Sequence, residues 1–215
     1  MIPMRHQSRA SRFIHLARSL PLLALLGLAT PALAQDGPGV AAVRRANESV
    51  AALLEKKPEP GSDAEKRLVA QMSSQLRSFL DVEELGQRAL ADHWKALTSA
   101  QRKQFLTLLR ELVENNYVKA MRSNLEYEVR YLEETEEGGS RRVATELQLK
   151  RNGRNETMSV DYVLRKEGDT WRAYDLVTDG VGLVENYRGQ FNKIVAKEGI
   201  AGRLERMRKK ARDAS

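Results

Sequence analysis

The spacing of apolar residues changes twice along this chain, and those changes limit the folds the chain can form. Up to about residue 124 apolar side chains recur every three or four positions, the period of an amphipathic helix. Over about 126–178 they recur at every second position, the period of a half-buried strand, with short turns between segments. A helical pattern returns over about 181–213. The predicted class is therefore α+β: a curved antiparallel sheet of about four strands with helices gathered on one face.

Capping signals divide the helical half into separate helices. A first helix is expected over about 40–56, and the Pro- and Gly-containing segment 57–61 ends it. The helix that begins after Asp81 is expected to continue through Trp94. The final helix is expected to break near Gly199. Three capping-box pairs predict the other helix starts: Ser62 with Glu65, Asp81 with Glu84, and Thr98 with Gln101.

The first 34 residues have the composition of an export signal. Four arginines and no acidic residue accompany an apolar run over 20–29, and small residues at 32 and 34 suit a signal peptidase. The run is about half of the ~20 residues that span a bilayer. We therefore predict a signal peptide over 1–34, cleaved near Ala34, and a periplasmic mature chain that forms a single domain over 35–215. Its helical part would cover about 38–124.

Composition narrows the possible functions. The leader holds four of the 36 basic residues, leaving 32 against 29 acidic residues and a formal net charge of +3, too weak to favour nucleic acid as a partner. Cysteine is absent, which excludes thiol catalysis, zinc–thiolate sites and disulfides. His93 is the one histidine beyond the leader, so a multi-histidine metal site cannot form within one chain. We expect neither a metal nor a cofactor.

Two features of the sequence allow functions other than ligand binding, which the lack of a catalytic motif favours. Asp161 and Asp175 lie on predicted strands among apolar neighbours, where burial can raise the pKa of a carboxylate and make it a general base. A small cone-shaped enzyme acting on a hydrophobic substrate is thus one alternative. His93 has Asp92 beside it in sequence, but adjacent helical residues diverge, so a surface or packed histidine is favoured.

A basic stretch close to the end of the chain gives the second alternative. It would contact anionic head groups or an acidic partner, or form a solvated last turn whose cations suit a helix C-terminus. A periplasmic adaptor with a filled core could dock its partner through this stretch. The cations are Arg203, Arg206, Arg208, Lys209, Lys210 and Arg212, with Leu204 and Met207 on an apolar edge.

Two segments of the chain resemble a known family. The first reads FLDVEELGQRAL over 79–90, followed by HW at 93–94 and TSAQR over 98–102. The second reads WRAYDLV over 171–177, DGVGLV over 179–184 and NYRGQF over 186–191. Together they resemble the MlaC, or toluene-tolerance, family of periplasmic phospholipid-binding proteins. Gly182 is a departure, because members of the family often carry serine there.

The resemblance implies both a fold and a function. The fold would be a nuclear-transport-factor-2-like sheet packed by helices. The function would be that of a carrier, not an enzyme, which moves phospholipid across the periplasm and keeps it out of the outer leaflet of the outer membrane. Its partners would be phospholipid, an outer-membrane lipoprotein complex and an inner-membrane ABC transporter of the mammalian-cell-entry type. Membrane contact would be transient.

Such a carrier needs an apolar cavity between sheet and helices. Exposing two acyl chains of roughly 15 methylenes each to water costs on the order of 24 kcal/mol, so a closed cavity is required for transit. We hypothesise that the acyl tails contact apolar residues around the matching segments, with ordinary core packing as the alternative interpretation for each. These residues are Leu147, Val160, Tyr162, Tyr174, Leu176, Val181, Val184 and Tyr187.

Overall fold

Six helices and five strands form the part of the chain that the structure describes. A computed structural model describes residues 36–121, 126–151 and 154–213. The helices are α1 Pro38–Leu54, α2 Asp63–Phe79, α3 Val82–Leu90, α4 Asp92–Ala96, α5 Ser99–Met121 and α6 Leu183–Asp213. The strands are β1 Glu126–Glu137, β2 Ser140–Arg151, β3 Arg154–Glu167, β4 Thr170–Thr178 and β5 Val181–Gly182. The predicted signal peptide lies outside the described residues, and the single domain over 35–215 stays a prediction.

The five strands form one antiparallel sheet in the order β1-β2-β3-β4-β5. This confirms the predicted α+β class and its meander. The sequence pattern missed β5, which is only two residues long and pairs with the end of β4. A strand this short has no alternation of its own to detect. In β1 the register shifts between Tyr131 and Glu133, and this bulge leaves Leu132 50% exposed.

The predicted capping residues begin their helices as expected. In each case a side-chain oxygen accepts the backbone N–H three residues later, which satisfies one of the unpaired donors of a helix N-terminus. Gln101 also accepts the backbone N–H of Thr98 through its Oε1 atom at 2.9 Å, completing a capping box. The distances are 3.1 Å for Ser62 and Glu65, 3.0 Å for Asp81 and Glu84, and 3.2 Å for Thr98 and Gln101.

One helix expected from the sequence is broken in two. The helix that begins after Asp81 does not run through Trp94, because Ala91 adopts a φ of 46° and ends α3 at Leu90. The chain turns there into α4, which places the Trp94 ring edge-on to Phe105 with centroids 6.5 Å apart. No glycine or proline marks this position, so tertiary packing and not local propensity sets the break.

Two helices, α1 and α2, lie on one face of the sheet, termed the inner face. Helix α1 contacts β1, β2 and β4, and in α2 the ring of Phe79 packs edge-on to Tyr162 with centroids 6.0 Å apart. Helices α3, α5 and α6 pack on one another around Phe105 and Phe191, whose rings are 5.0 Å apart. The buried residues of the inner face on β2 and β3 are Val143, Thr145, Val160, Tyr162 and Leu164.

Glu134 of β1 fixes the N-terminal end of α1 to the sheet. The cap position of α1 is Gly37, which has no side chain to accept a hydrogen bond. Instead, the Glu134 carboxylate accepts the backbone N–H groups of Gly39 at 3.2 Å and Val40 at 2.8 Å. Arg141 Nη1 lies 2.7 Å from the same carboxylate, whose side chain is only 7% exposed. A buried negative charge at a helix N-terminus is favourable, so Glu134 holds α1 against the sheet.

The junction of α2 and α3 covers part of the free edge of β4. Leu80 forms a parallel bridge with Ala173, and the Asp81 backbone N–H donates to the Ala173 carbonyl oxygen at 2.7 Å. The Asp81 carboxylate also accepts a hydrogen bond of 2.6 Å from Arg165 Nε of β3. The residue that caps α3 therefore also attaches this helix to the sheet.

Candidate functional site

Four of the eight residues expected to contact lipid lie together on the inner face. Tyr162 of β3 pairs with Leu176 of β4, and Leu147 of β2 pairs with Met158 of β3. Val160 lies between Met158 and Tyr162 on the same side of β3, since alternate residues of a strand share a face. Leu147, Val160, Tyr162 and Leu176 thus form part of one surface.

The inner face is closed at one end and partly uncovered at the other. Near the turn between β1 and β2, Val143 and Leu164 are 0% exposed. Toward the far end of β2, the side chains of this face are only half-buried, and these residues are termed the open row. An apolar surface that the chain itself leaves partly uncovered is where an apolar ligand gains free energy from burial. The open row is Tyr127, Val129, Leu147, Leu149 and Met158.

Tyr174 is buried away from the inner face. A register shift between β3 and β4 leaves it without a paired residue. Its Oη atom donates to Ser140 Oγ at 3.1 Å, and Arg88 lies over its ring at 4.2 Å. Ser140 is an odd number of residues from inward-facing Val143, so it lies on the opposite face of the sheet. A bulge changes which side later residues face, and the alternating pattern does not reveal it.

The other three expected contact residues lie on β5 and α6. Val181 is 55% exposed, while Val184 and Tyr187 are 8% and 7% exposed. The Tyr187 ring stacks on Phe191 at a centroid distance of 6.0 Å. Val184 and Tyr187 therefore pack α6 onto the body of the protein, and the structure does not bring them to the open row.

A group of polar side chains lies between α1 and the sheet, with members on β1 and β3. Asn47 Nδ2 donates to Tyr131 Oη at 3.2 Å, and Tyr162 Oη donates to Asn47 Oδ1 at 3.4 Å. The Arg44 guanidinium lies 4.1 Å from the centroid of the Tyr131 ring and pairs with Asp36 at 2.8 Å. Burial raises the pKa of Tyr162 to about 12, so its hydroxyl stays protonated and can donate. Arg44, Asn47, Tyr131 and Tyr162 are termed the polar seam.

Sequence reasoning named Tyr162 but missed Arg44 and Asn47. Both lie on α1 between Val43 and Val50, which are buried. Asn47 follows Val43 by four residues and precedes Val50 by three, so all three share one side of the helix. A polar residue inside the apolar stripe of a helix is the signal that could have found this site.

An open cleft of about 750 Å³ lies on the opposite face of the sheet, at the start of α6. Asp161 and Asp175, the two candidates for a catalytic base, both line it. Asp161 pairs with Arg142 at 3.1 Å. Burial raises the pKa of Asp175, although its backbone hydrogen bonds act against this, including one of 3.1 Å from the Val184 N–H group. Each carboxylate therefore has a structural role, one in an ion pair and one as a helix cap.

The position of Asp175 at the start of α6 also explains why residue 182 is glycine, the position at which the sequence differs from the pattern of the family that it resembles. A Cβ atom at residue 182 would lie 2.9 Å from Asp175 Oδ2. Helix α6 begins at the next residue, Leu183. The carboxylate from β4 thus supplies the hydrogen-bond acceptor that a serine at the helix start could supply itself, and glycine leaves room for it.

The basic stretch of α6 packs against the body of the protein. Gly199 has a φ of 66° and a ψ of −176°, which confirms the predicted break. Beyond it Leu204 and Met207 are buried, so this apolar edge is not available to a membrane. Both interpretations of the stretch placed Arg203 at the surface, and the structure corrects this: Arg203 is buried with its guanidinium 4.2 Å from the Phe191 centroid. Burial lowers the pKa of Arg203 to about 10.

His93 and the remaining acidic residues give no sign of a metal centre. His93 is half-buried beside apolar residues such as Leu90 and Leu97, as expected for a packed histidine. Among residues 36–121, 126–151 and 154–213, no group of three or more His, Cys, Asp or Glu side chains could hold a metal ion. Over the same ranges, no helix combines the length and the apolar character needed to cross a bilayer.

Comparison with known proteins identifies the family. The protein named intermembrane phospholipid transport system binding protein MlaC, from Haemophilus influenzae, is 22% identical over 138 residues. Those residues are 63% of this chain and 64% of the Haemophilus protein, so the match spans less than two thirds of that relative's length. The phospholipid-binding protein from Ralstonia solanacearum, solved in complex with a phospholipid, has a similar fold, with a TM-score of 0.70 and 23% identity over 81% of this chain and 97% of that one. The family model described as MlaC protein matches residues 44–209. This chain therefore belongs to the MlaC family.

Proposed function

We propose that this protein is a periplasmic phospholipid carrier that holds the acyl tails of its cargo against the open row and the neighbouring inner face. The family match over 44–209 carries this proposal, because those residues include both the inner face and most of the helices that cover it. The fold shared with a phospholipid-bound protein supports it further. The export-like leader supports the periplasmic location.

The open row suits a cargo that must be both held and released. Apolar contacts are non-directional and gain free energy roughly in proportion to the area removed from water. A bilayer offers the same gain, so exchange between protein and membrane is close to balanced. A carrier of this kind needs apolar surface and no catalytic group. We propose that the protein is not an enzyme, and the structural roles of Asp161 and Asp175 support this.

Lipid content is the first test of the carrier function. Mature protein is purified from the periplasm without detergent and analysed by native mass spectrometry with organic extraction. We expect about one bound phospholipid per chain. Replacing half-buried Leu147 with tryptophan fills the open row, and at about 1–3 kcal/mol for overpacking it should weaken lipid binding by roughly 5- to 140-fold and lower the lipid content of the purified protein.

The matched control is Leu132→Trp, the same substitution at the exposed bulge of β1. Circular dichroism and thermal melts verify that both variants are folded. Equal lipid content in Leu147→Trp and Leu132→Trp would place the tails elsewhere. A wild-type protein without any bound lipid would contradict the carrier function itself.

We also propose that the carrier shuttles phospholipid between an outer-membrane lipoprotein complex and an inner-membrane ABC transporter of the mammalian-cell-entry type, thereby maintaining outer-membrane lipid asymmetry. Family membership supports this, as does the name of the Haemophilus relative, which describes intermembrane transport. The test is transfer of labelled phospholipid from loaded protein to liposomes with and without the transporter. Equal transfer to liposomes with and without the transporter would contradict docking of the carrier on the transporter.

A further inference from the structure

We propose that the polar seam is the binding subsite for the phosphate and ester oxygens of the lipid cargo, an inference that rests on the proposed function. The seam adjoins the open row, because Tyr131 and Val129 share one side of β1, which is the outermost strand of the sheet. A lipid with its tails on the open row would have its polar part at this edge. Polar and apolar surfaces thus follow each other in the order that a phospholipid requires.

Arg44 supplies the cation for the phosphate. Its Nε and Nη2 atoms lie 2.9 and 2.8 Å from one Asp36 carboxylate oxygen, and the two side chains are 39% and 44% exposed. An ion pair this exposed contributes little net stability, so another anion can replace Asp36 at low cost. A phosphodiester presents oxygens that the planar guanidinium binds as it binds a carboxylate. The Tyr131 ring beneath Arg44 restricts the orientation of the guanidinium.

Asn47 and Tyr162 supply the donors for the ester oxygens. Their mutual hydrogen bond is 3.4 Å long and the bond from Asn47 to Tyr131 is 3.2 Å, both at or beyond the long end of ordinary hydrogen bonds. Bonds this long are weak, so exchanging them for bonds to a ligand costs little. An amide carries two protons, and Tyr131 takes only one of those on Asn47.

The spacing of the seam matches the layout of a glycerophospholipid. Arg44 and Asn47 are three residues apart on α1, about 4.5 Å along the helix axis, so their side chains leave the same side of the helix. The phosphate and the glycerol esters of a phospholipid are separated by only a few bonds. Polar atoms between a helix and a sheet are costly unless they have partners, and a polar ligand group is a partner that suits them better than their long mutual bonds.

The test compares two lipids with identical tails. Delipidated mature protein is incubated with vesicles that contain equal amounts of dioleoylphosphatidylglycerol and dioleoylglycerol, which lacks phosphate, and the bound lipid is identified by native mass spectrometry. We expect wild-type protein to prefer the phospholipid by about ten-fold. Arg44→Gln should bind both lipids equally, whereas Arg44→Lys should keep part of the preference. Arg45→Gln, the matched control at the exposed neighbouring residue, should behave as wild type.

Two further measurements separate the possible failures. Asn47→Leu should weaken binding of both lipids equally, because both carry the glycerol esters. Glycerol 3-phosphate, which has no tails, should not be retained by delipidated protein in native mass spectrometry. Retention of glycerol 3-phosphate at the level of the phospholipid would assign the seam to free phosphate esters and overturn the inference. Equal preference in Arg44→Gln and Arg45→Gln would also overturn it while leaving the carrier function intact, whereas wild-type protein that loads neither lipid would overturn both.

Discussion

Replacing Glu134 with alanine should release the N-terminal end of α1 from the sheet. The substitution leaves two backbone N–H groups, those of Gly39 and Val40, without their acceptor, at about 1 kcal/mol each. The loss of the buried Glu134 partner of Arg141 adds about 1 kcal/mol to this cost. Arg141 keeps its second partner, Glu136, whose carboxylate lies 2.8 Å from Arg141 Nη2. The expected loss is therefore about 3 kcal/mol, or roughly 6–12 °C in unfolding temperature for a domain of this size.

Glu136→Ala is the matched control for this prediction. Glu136 contacts the same arginine, but its side chain is 60% exposed and it caps no helix, so its loss should cost less than about 0.5 kcal/mol. Urea denaturation followed by circular dichroism measures both variants, using delipidated protein because a bound ligand adds stability of its own. If Glu134→Ala is no less stable than Glu136→Ala, the carboxylate is not what holds α1 on the sheet.

Two further predictions concern α6. Gly199→Ala should lower the free energy of unfolding by about 1–3 kcal/mol, because only glycine readily adopts the φ and ψ found there. Gly189→Ala in the same helix should raise it by about 0.5–1 kcal/mol, because no atom lies within 4 Å of the new Cβ. Thermal melts in which both variants lie on the same side of wild type would contradict this. Burial raises the pKa of Asp175, so the folded state binds its proton more tightly than the unfolded state does, and the charge lowers stability at neutral pH. Asp175→Asn keeps an oxygen that accepts the Val184 N–H group, so the variant should melt at or above the wild-type temperature at pH 7. The difference in melting temperature should vanish as the pH falls through the folded-state pKa of Asp175. A variant that melts below wild type at pH 7 would contradict this reasoning.

Local signals in the sequence predicted most of the secondary structure. Ser62, Asp81 and Thr98 begin helices because each carries an acceptor three residues before a free N–H group, a relation that depends only on neighbours in sequence. Gly199 breaks α6 because its backbone conformation excludes other residues. The break at Ala91 had no such signal, since distant packing and not local chemistry imposes it.

The candidate site was predicted less completely, for two physical reasons. Alternation identified the inner-facing residues wherever the ladder is regular, as at Val160 and Tyr162, but the bulge in β4 turned Tyr174 to the other side. The polar seam joins residues that are far apart in sequence, and 84 positions separate Asn47 from Tyr131. No pattern of period two or 3.6 connects such positions, so only the fold brings them together.

The outermost position of β1 affects how separate copies of this protein meet. An edge strand presents unpaired N–H and C=O groups that can recruit a strand from another molecule. In β1 six of the 12 residues are glutamate, and the bulge at Leu132 interrupts its ladder. A second β1 strand laid alongside would bring like charges together and would meet a distorted hydrogen-bond row. The strand thereby opposes edge-to-edge aggregation, even while the apolar open row beside it is without a ligand.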